Sequence, residues 1–507
     1  MLGGVASSQW LVVLGVASLS SRNGDALHID VHEEFARCIQ RLRYSLRHGA
    51  VYFRRWLVIG IIVGVISGVA ALAFYYMLDL FTDLFFGLFL HTSMPKPRGE
   101  GGTTHFVPGD RYWLLPLVTA LGGAVSGLIV YRFAPEAEGH GTDAAIHAFH
   151  FGEGRIRRRV ILVKMVSSAI TIGSGGSAGR EGPTAQIAAG VGSMIADLLK
   201  LSTRDRRIVL ATGIGAGIGA IFKAPIGGAI LAAEILYRRD IEAEVLYPAL
   251  IASTVSYVIF GSVTGFTPIF GYHRLEFDPL YLPFFAVLGV VCGLAAILYV
   301  EVFYGIHTLF SRAKLCRYLK PAVGGLVTGL VGLAFPEVLS TSYGWIQILL
   351  DNELDEIHTY GVQIALALIL IAILKMIATG FSIGSGGSGG VFAPGLTIGA
   401  FIGAALGIFF KNLFPETIHD IRPFIIVGML SLFGAAGKVP LAVTLMIAEM
   451  TGSYTLLPGM IVAVTIAYII SGEHTIYRSQ VATRLESPAH REALTLNTRI
   501  NTSTCSS

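Results

Sequence analysis

One carboxylate, Glu181, stands in a glycine-rich run that this chain carries twice. Residues 172–183 read IGSGGSAGREGP and residues 383–394 read IGSGGSGGVFAP, 211 positions apart. The first copy holds Arg180-Glu181 where the second holds Val391-Phe392. Five or more Gly and Ser residues in succession cannot sustain a helix. Each run ends at a proline, Pro183 or Pro394, followed by apolar helical sequence, so each predicts a helix that begins beside the break. The start of such a helix carries unpaired N–H groups and about half a positive charge. Two of them converging make an anion site that needs no cationic side chain. Glu181, in the first turn of one, is drawn to the same amides and can compete with a bound anion, leaving when protonated or displaced. The blander role is a helix cap or a partner for Arg180. An ionisable residue inside a membrane favours the functional role. Neither run continues into the Gly-Lys-Ser/Thr of a nucleotide phosphate loop.

The elements that must position these runs are also duplicated. Lys164-Met165 matches Lys375-Met376 at the same offset, and Lys223-Ala224-Pro225 with Glu234 is answered by Lys438-Val439-Pro440 with Glu449 after a slip of four residues. Repetition at half-length with glycine breaks inside apolar sequence is the signature of a membrane transport protein. The 507 residues are 53% hydrophobic and 14% charged, against about 25% charged for soluble domains. Residues 56–77, 113–130, 281–300, 362–374 and 456–470 predict membrane helices, a full crossing needing about 20 residues. Gly60, Gly64 and Gly68 share a helix face, as do Gly395, Gly399, Gly403 and Gly407. Gly213/Gly217 and Gly215/Gly219 interleave on another helix. This spacing predicts close helix packing.

A net charge of +4, with basic residues in short clusters, argues for orientation in a membrane and against nucleic-acid binding. Arg37, Arg41, Arg43, Arg47, Arg54 and Arg55 precede the first span and predict a cytoplasmic N-terminus. Arg155, Arg157, Arg158 and Arg159 are expected on the same side. Residues 1–20 lack a basic start and do not read as a signal peptide. Cys38, Cys292, Cys316 and Cys505 have neither disulfide nor metal spacing.

Gly179-Arg180-Glu181-Gly182-Pro183, Gly390-Val391-Phe392-Ala393-Pro394 and the run Pro135-Glu136-Ala137 leading into Gly139-His140-Gly141 resemble, in this order, the signature motifs of the CLC family of chloride channels and proton/chloride exchangers. The resemblance covers roughly residues 50–485. It implies an all-α polytopic membrane protein, an inverted repeat of tilted and membrane-interrupted helices, working as a homodimer in the cell membrane with chloride, and in exchangers protons, as its ligands. The expected organisation is a cytoplasmic segment with a basic helix over 1–55, a transmembrane domain over 56–485 (repeat one about 113–262, repeat two about 320–470) and a short polar tail over 486–507 without a regulatory domain. By position, Glu181 resembles the family's external gating glutamate. Gly179, Arg180, Gly182, Val391 and Phe392 are expected around the anion, the last two through their amides. Tyr477 resembles the tyrosine whose hydroxyl reaches the central anion, with an interfacial anchor as its alternative. No cofactor or metal is expected.

Two positions depart from the family pattern. His140 stands where many members have a serine, replacing a hydroxyl by an imidazole whose charge can change near neutral pH. It can donate to the anion or point away and leave that task to backbone. Asp143 is expected to cap the short helix that follows. In exchangers a second glutamate follows the position of Glu234 and relays protons; here that position is Ile235. Glu234, mirrored by Glu449, is expected to be a helix-end structural carboxylate. Ile235 favours a passive chloride channel gated by Glu181 through voltage or pH. The alternative is proton/chloride antiport on the same scaffold, with fluoride export a narrower rival. A polytopic enzyme using Glu181 with His140 or His147 as acid and base is more remote, because no nucleophile, metal cluster or cofactor loop accompanies them.

Overall fold

The computed structural model describes residues 31–102 and 105–490, with side chains from Phe53 onward. Residues 1–20, the side chains of Arg37, Arg41, Arg43 and Arg47, and the tail from 491 lie outside the described residues. The chain divides into compact units at Arg55/Trp56.

Among the described residues there are sixteen α-helices and no β-strand longer than an isolated bridge. The first, α1, runs Val31–Thr82. One set then follows: α2 Leu115–Phe133, α3 Thr142–His150, α4 Arg158–Gly173, α5 Glu181–Leu198, α6 Thr203–Ile221, α7 Pro225–Glu234 and α8 Ala243–Thr264. After α9, Leu282–Arg312, a second set repeats it: α10 Lys320–Ala334, α11 Tyr343–Leu350, α12 Ile364–Gly384, α13 Phe392–Leu413, α14 Arg422–Gly437, α15 Pro440–Thr451 and α16 Leu457–Ile470. Even the 3₁₀ turn before α3, Pro135–Ala137, has its counterpart in Pro336–Val338 before α11. Proline in the first turn starts α2, α7, α9, α10, α14, α15 and α16, where its missing N–H costs nothing.

Among the described residues, six helical stretches are long and apolar enough to cross a membrane: Phe53–Phe89, Tyr112–Phe133, Ala243–Thr264, Pro279–Arg312, Ile364–Gly384 and Phe392–Leu413. Sequence reading located four of these. It missed α8, whose polar Ser253 and Ser256 face inward, and α13, whose glycines dilute its apolar run. The expected span over 456–470 is only the short helix α16.

The glycine faces are seams. A side chain on Gly64 would strike the Ala252 carbonyl of α8, and one on Gly399 or Gly403 the carbonyls of Gly428 or Phe424 in α14. Gly213 meets the Ala188 carbonyl of α5, while Gly219 on the other face meets Ser253 of α8. Lipid supplies no hydrophobic drive for helix association, so backbone contact of this kind carries the packing.

Glu234 and Glu449 tie the halves reciprocally. Glu234, at the end of α7, accepts from the Leu441 and Ala442 amides at 3.1 and 2.7 Å, at the start of α15. Glu449, near the end of α15, accepts from Ile226 and Gly227 at 3.1 and 2.8 Å, at the start of α7. Each is therefore a structural helix-end carboxylate, capping its partner's helix instead of its own. Removing a cap costs about 0.5–2 kcal/mol. Glu234→Ala and Glu449→Ala are expected each to lower the melting temperature of the purified protein in detergent, and melting unchanged by both would refute the capping role.

Candidate functional site

Both glycine runs break the chain between helices at equivalent places. Residues 174–180 separate α4 from α5, and 385–391 separate α12 from α13. Gly175 at φ +103° and Gly386 at φ +105° turn the chain back, a conformation that only glycine adopts without strain. The runs then pair in antiparallel fashion. The Gly179 N–H donates to Gly390 O at 2.7 Å, and the Gly390 N–H donates to Gly179 O at 2.6 Å. Ser177 Oγ lies 3.0 Å from Thr379 Oγ1, and Ser168 Oγ lies 2.9 Å from Ser388 Oγ, each repeat lending one partner to the other's loop. Buried backbone that leaves the helical pattern must find such partners. The starts of α5 and α13 are thereby held against each other.

A third pair of segments completes the frame. The Gly139 N–H donates to Gly387 O at 3.0 Å and accepts through its carbonyl from Gly389 N at 3.2 Å. In the other half, Ser340 makes the related pair with Ala178 and Gly175 at 3.3 and 3.4 Å. The repeated lysines hold these segments. Lys164 Nζ donates to Ala137 O and Gly139 O at 3.0 and 2.7 Å. Lys375 Nζ donates to Val338 O, Ser340 O and Ser342 Oγ at 2.9, 3.0 and 2.7 Å. Both are fully buried. Sequence comparison flagged this pair without a role, because the acceptors follow a 3₁₀ turn far away in the chain.

Glu181 is completely buried. Its Oε1 accepts from the Tyr343 hydroxyl, while Oε2 has no hydrogen-bond partner. A Cβ placed on Gly179 would collide with Oε2 and lie 3.0 Å from the Ala393 nitrogen. The carboxylate therefore sits over the first turn of α13, where the initial N–H groups have no intrahelical acceptor. Gly182 is equally confined, since a side chain there would strike the His140 carbonyl. Gly179, Gly182, Val391 and Phe392 are thus brought together around Glu181.

Aromatic rings surround this point. Phe392 lies 4.8 Å from Phe222 and 4.0 Å from Phe433 between ring centroids. Phe433 is 6.4 Å from Tyr477, and Tyr477 is 5.4 Å from His140. Tyr299 donates to Val391 O at 2.9 Å and fixes the turn that starts α13. Tyr477 is buried in this collar, and Tyr304 donates to the preceding Ile476 O at 2.7 Å; the interfacial-anchor alternative does not hold. His140 is buried, and its Nδ1 has no hydrogen-bond partner. It forms the wall of a cavity of about 710 Å³ whose rim holds Arg155, Arg157, His147, His307 and Arg478.

Two expectations need correction. The Arg180 guanidinium is not offered to an anion. It pairs with Glu100 and is stacked between the rings of Tyr75 and Tyr343, at 5.6 and 5.4 Å from the centroids. A buried guanidinium needs such compensation, so only the Arg180 backbone shares the site. Asp143 does not cap α3, which has no side-chain cap. It accepts from Ser479 N and Oγ at 2.7 and 2.8 Å, anchoring the segment that carries Tyr477. Sequence reasoning missed Tyr343, Tyr299 and Glu100. An aromatic in an apolar run, or an acid in a polar loop, carries no local signal of a distant partner.

The profile of one protein family, described as voltage gated chloride channel, matches residues 122–472. An H(+)/Cl(-) exchange transporter, ClcA, of Citrobacter koseri is 32% identical over 68% of this chain and 73% of its own length. A ClcB-like chloride-channel-related protein of Ralstonia nicotianae is 30% identical over 73% of this chain and 86% of its own. Among solved structures, a slow cyanobacterial Cl-/H+ antiporter superposes with a TM-score of 0.70 at 24% identity, covering 83% of this chain and 96% of that one. A CLC-type fluoride/proton antiporter gives 0.69 at 20% identity over 85% and 98%. At these identities the structural likeness speaks for the fold alone.

Lys375→Met would strand the Val338 carbonyl at a cost of about 1–3 kcal/mol, while Ser340 O keeps the Ala178 amide and the Ser342 hydroxyl keeps Glu337 O. The variant is expected to melt measurably below the parent in detergent. Melting at the parent temperature would show that the lysine does not hold the frame.

Proposed function

The chain belongs to the voltage-gated chloride channel (CLC) family, and from that premise we propose that it exchanges chloride for protons, with Glu181 as the gate that both ions share. It is a multi-pass membrane protein of an anion-transporting family, which sets aside the membrane-enzyme reading. The observation that carries the proposal is the place of the Glu181 carboxylate. It lies over the amides of α13, where an arriving anion is also stabilised, and one of its oxygens is unpartnered.

Two anions cannot share that position. A chloride ion must displace the carboxylate, or a proton must neutralise it, so binding one ion prepares the site for the other. This competition is what exchange requires. The passive channel, favoured from Ile235, stands against a relative described as an exchange transporter, although another relative carries a chloride-channel name. Ile235, buried and apolar, is the structural observation in favour of a channel. We assign central anion binding to the amides of Val391 and Phe392, with Tyr477 and His140 closing the opposite side. Gly179 and Gly182 give the ion room. We infer a cytoplasmic N-terminus from the basic residues Arg54, Arg55 and their neighbours in sequence.

We also infer a homodimer. The short helices α7 and α15 leave Ile226 and Leu441 exposed beside their mutual caps, giving apolar surface on helices too short to cross alone. The mass of the purified protein in detergent is expected to be twice 54.1 kDa, and a monomer mass at all dilutions would overturn the inference.

The gate is tested in proteoliposomes loaded with chloride. Protonation removes the charge that holds Glu181 over α13, so wild-type efflux is expected to rise as pH falls. Glu181→Gln is expected to conduct at a rate independent of pH and to move no protons. A mutant with the parent's pH profile would sink the assignment. Tyr343→Phe deletes a donor to a charged acceptor worth about 1.5–3 kcal/mol, so the open fraction is expected to rise roughly tenfold or more. Efflux unchanged at every pH would show that this hydroxyl does not hold the gate.

A further inference from the structure

We propose that His140 carries protons between the vestibule and Glu181, taking the part of a carboxylate at position 235. This rests on the exchange reading, which requires a proton route to a gate that is itself completely buried. The resemblance to family exchangers places a second glutamate at 235, but Ile235 has no titratable group and its carbonyl accepts from Gln480 Nε2 at 2.9 Å. The neighbouring acids are committed. Both oxygens of Glu234 are taken by the Leu441 and Ala442 amides, and both of Glu449 by Ile226 and Gly227.

His140 is differently placed. The residue is 8% exposed, it borders the large water-accessible cavity, and its Nδ1 has no partner. Its own carbonyl packs on Gly182, the residue after the gate. The residue thus joins the vestibule wall to the backbone beside the gate, with its ring 5.4 Å from that of Tyr477.

The other charged and titratable groups around it are occupied or lie farther out. On α3, Asp143 is held by Ser479, and His147 is exposed at the cavity rim. From α4, Lys164 is spent on two carbonyls. From α9, His307 faces Gly384 O through Nδ1 at 3.2 Å, and Tyr304 lies under Arg478. Glu138, preceding the loop, faces the Tyr131 hydroxyl.

The step balances without a further reactant. A proton from vestibule water forms an N–H bond at Nε2, which unlike Nδ1 is not among the buried unpartnered atoms, giving an imidazolium. The N–H at the buried Nδ1 then breaks as an O–H forms on Glu181 through intervening water, leaving a neutral ring with its proton on Nε2. No electrons change hands. The neutral acid loses its attraction for the α13 amides and yields the position to the anion. Proton and chloride thus approach the gate by the same vestibule.

The test measures chloride and proton fluxes together in proteoliposomes of the full chain under a chloride gradient, reading the ratio of the two. His140→Ser supplies the hydroxyl usual in the family but no proton carrier, and His140→Asn keeps the ring's approximate size. Both are expected to lower the proton-to-chloride ratio by about a hundredfold, the low end of what a positioned proton-transfer group contributes. Adding Ile235→Glu to His140→Ser is expected to restore it. A wild-type ratio in either single variant overturns the proposal. So does a loss that Ile235→Glu does not recover, since His140 would then serve only anion binding or folding. Wild-type protein that moves chloride but no protons would instead defeat the exchange reading itself.

Discussion

The mutual hydrogen bonds of Gly179 and Gly390 are the constraint on which the rest of the molecule depends. Two helices are interrupted inside apolar surroundings, and each interruption would strand several amides and carbonyls if it stood alone. Pairing the breaks satisfies both at once and leaves the starts of α5 and α13 facing a common point. The buried Ser–Thr and Ser–Ser contacts, one contributed from each half, fix the register. A shift of one residue would separate the helix starts and remove the anion position with them.

Around that point the two repeats have diverged where chemistry needs asymmetry and stayed alike where mechanics does not. Lys164 and Lys375 do the same work in both halves, as do Glu234 and Glu449. Arg180-Glu181 and Val391-Phe392 do not. The first pair supplies an acid at the site and a guanidinium that Glu100 and two tyrosines retain on the other side. The second supplies amides and an aromatic ring. On the proposed reading, one repeat provides the competitor and the other most of the position it competes for.

The same division explains why an electrostatic site can work without a free cation in it. Backbone amides stabilise an anion in proportion to how well they are preorganised. They do not bind it so tightly that it cannot leave. The stacked Arg180 adds positive potential from the side of Tyr343 without becoming a ligand. On the vestibule side, Arg155, Arg157 and Arg478 are matched by Glu136, Glu138 and Asp143, and Arg157 pairs with Glu136, so selection for anions falls to the amides deeper in.

Local sequence was enough to determine where helices break, which residue carries the carboxylate, which glycines lie in seams, and that the chain is doubled. Each follows from chain properties that neighbours in sequence share: the helix-breaking of Gly and Ser, the proline start, the spacing of small residues. Those rules also located most of the membrane helices, failing for α13 because glycines that pack a helix lower its apolar signal. Tertiary structure alone decided what meets Glu181. Tyr343 lies 162 residues from it, Lys375 reaches back 37 residues to Val338, and Arg180 is drawn away by an acid 80 residues earlier. Asp143 similarly turns from its own helix to Ser479, 336 residues on. A side chain's partners depend on the path of the backbone through space. A sequence can announce that an anion site is built, but only the folded arrangement selects which groups it leaves free to act.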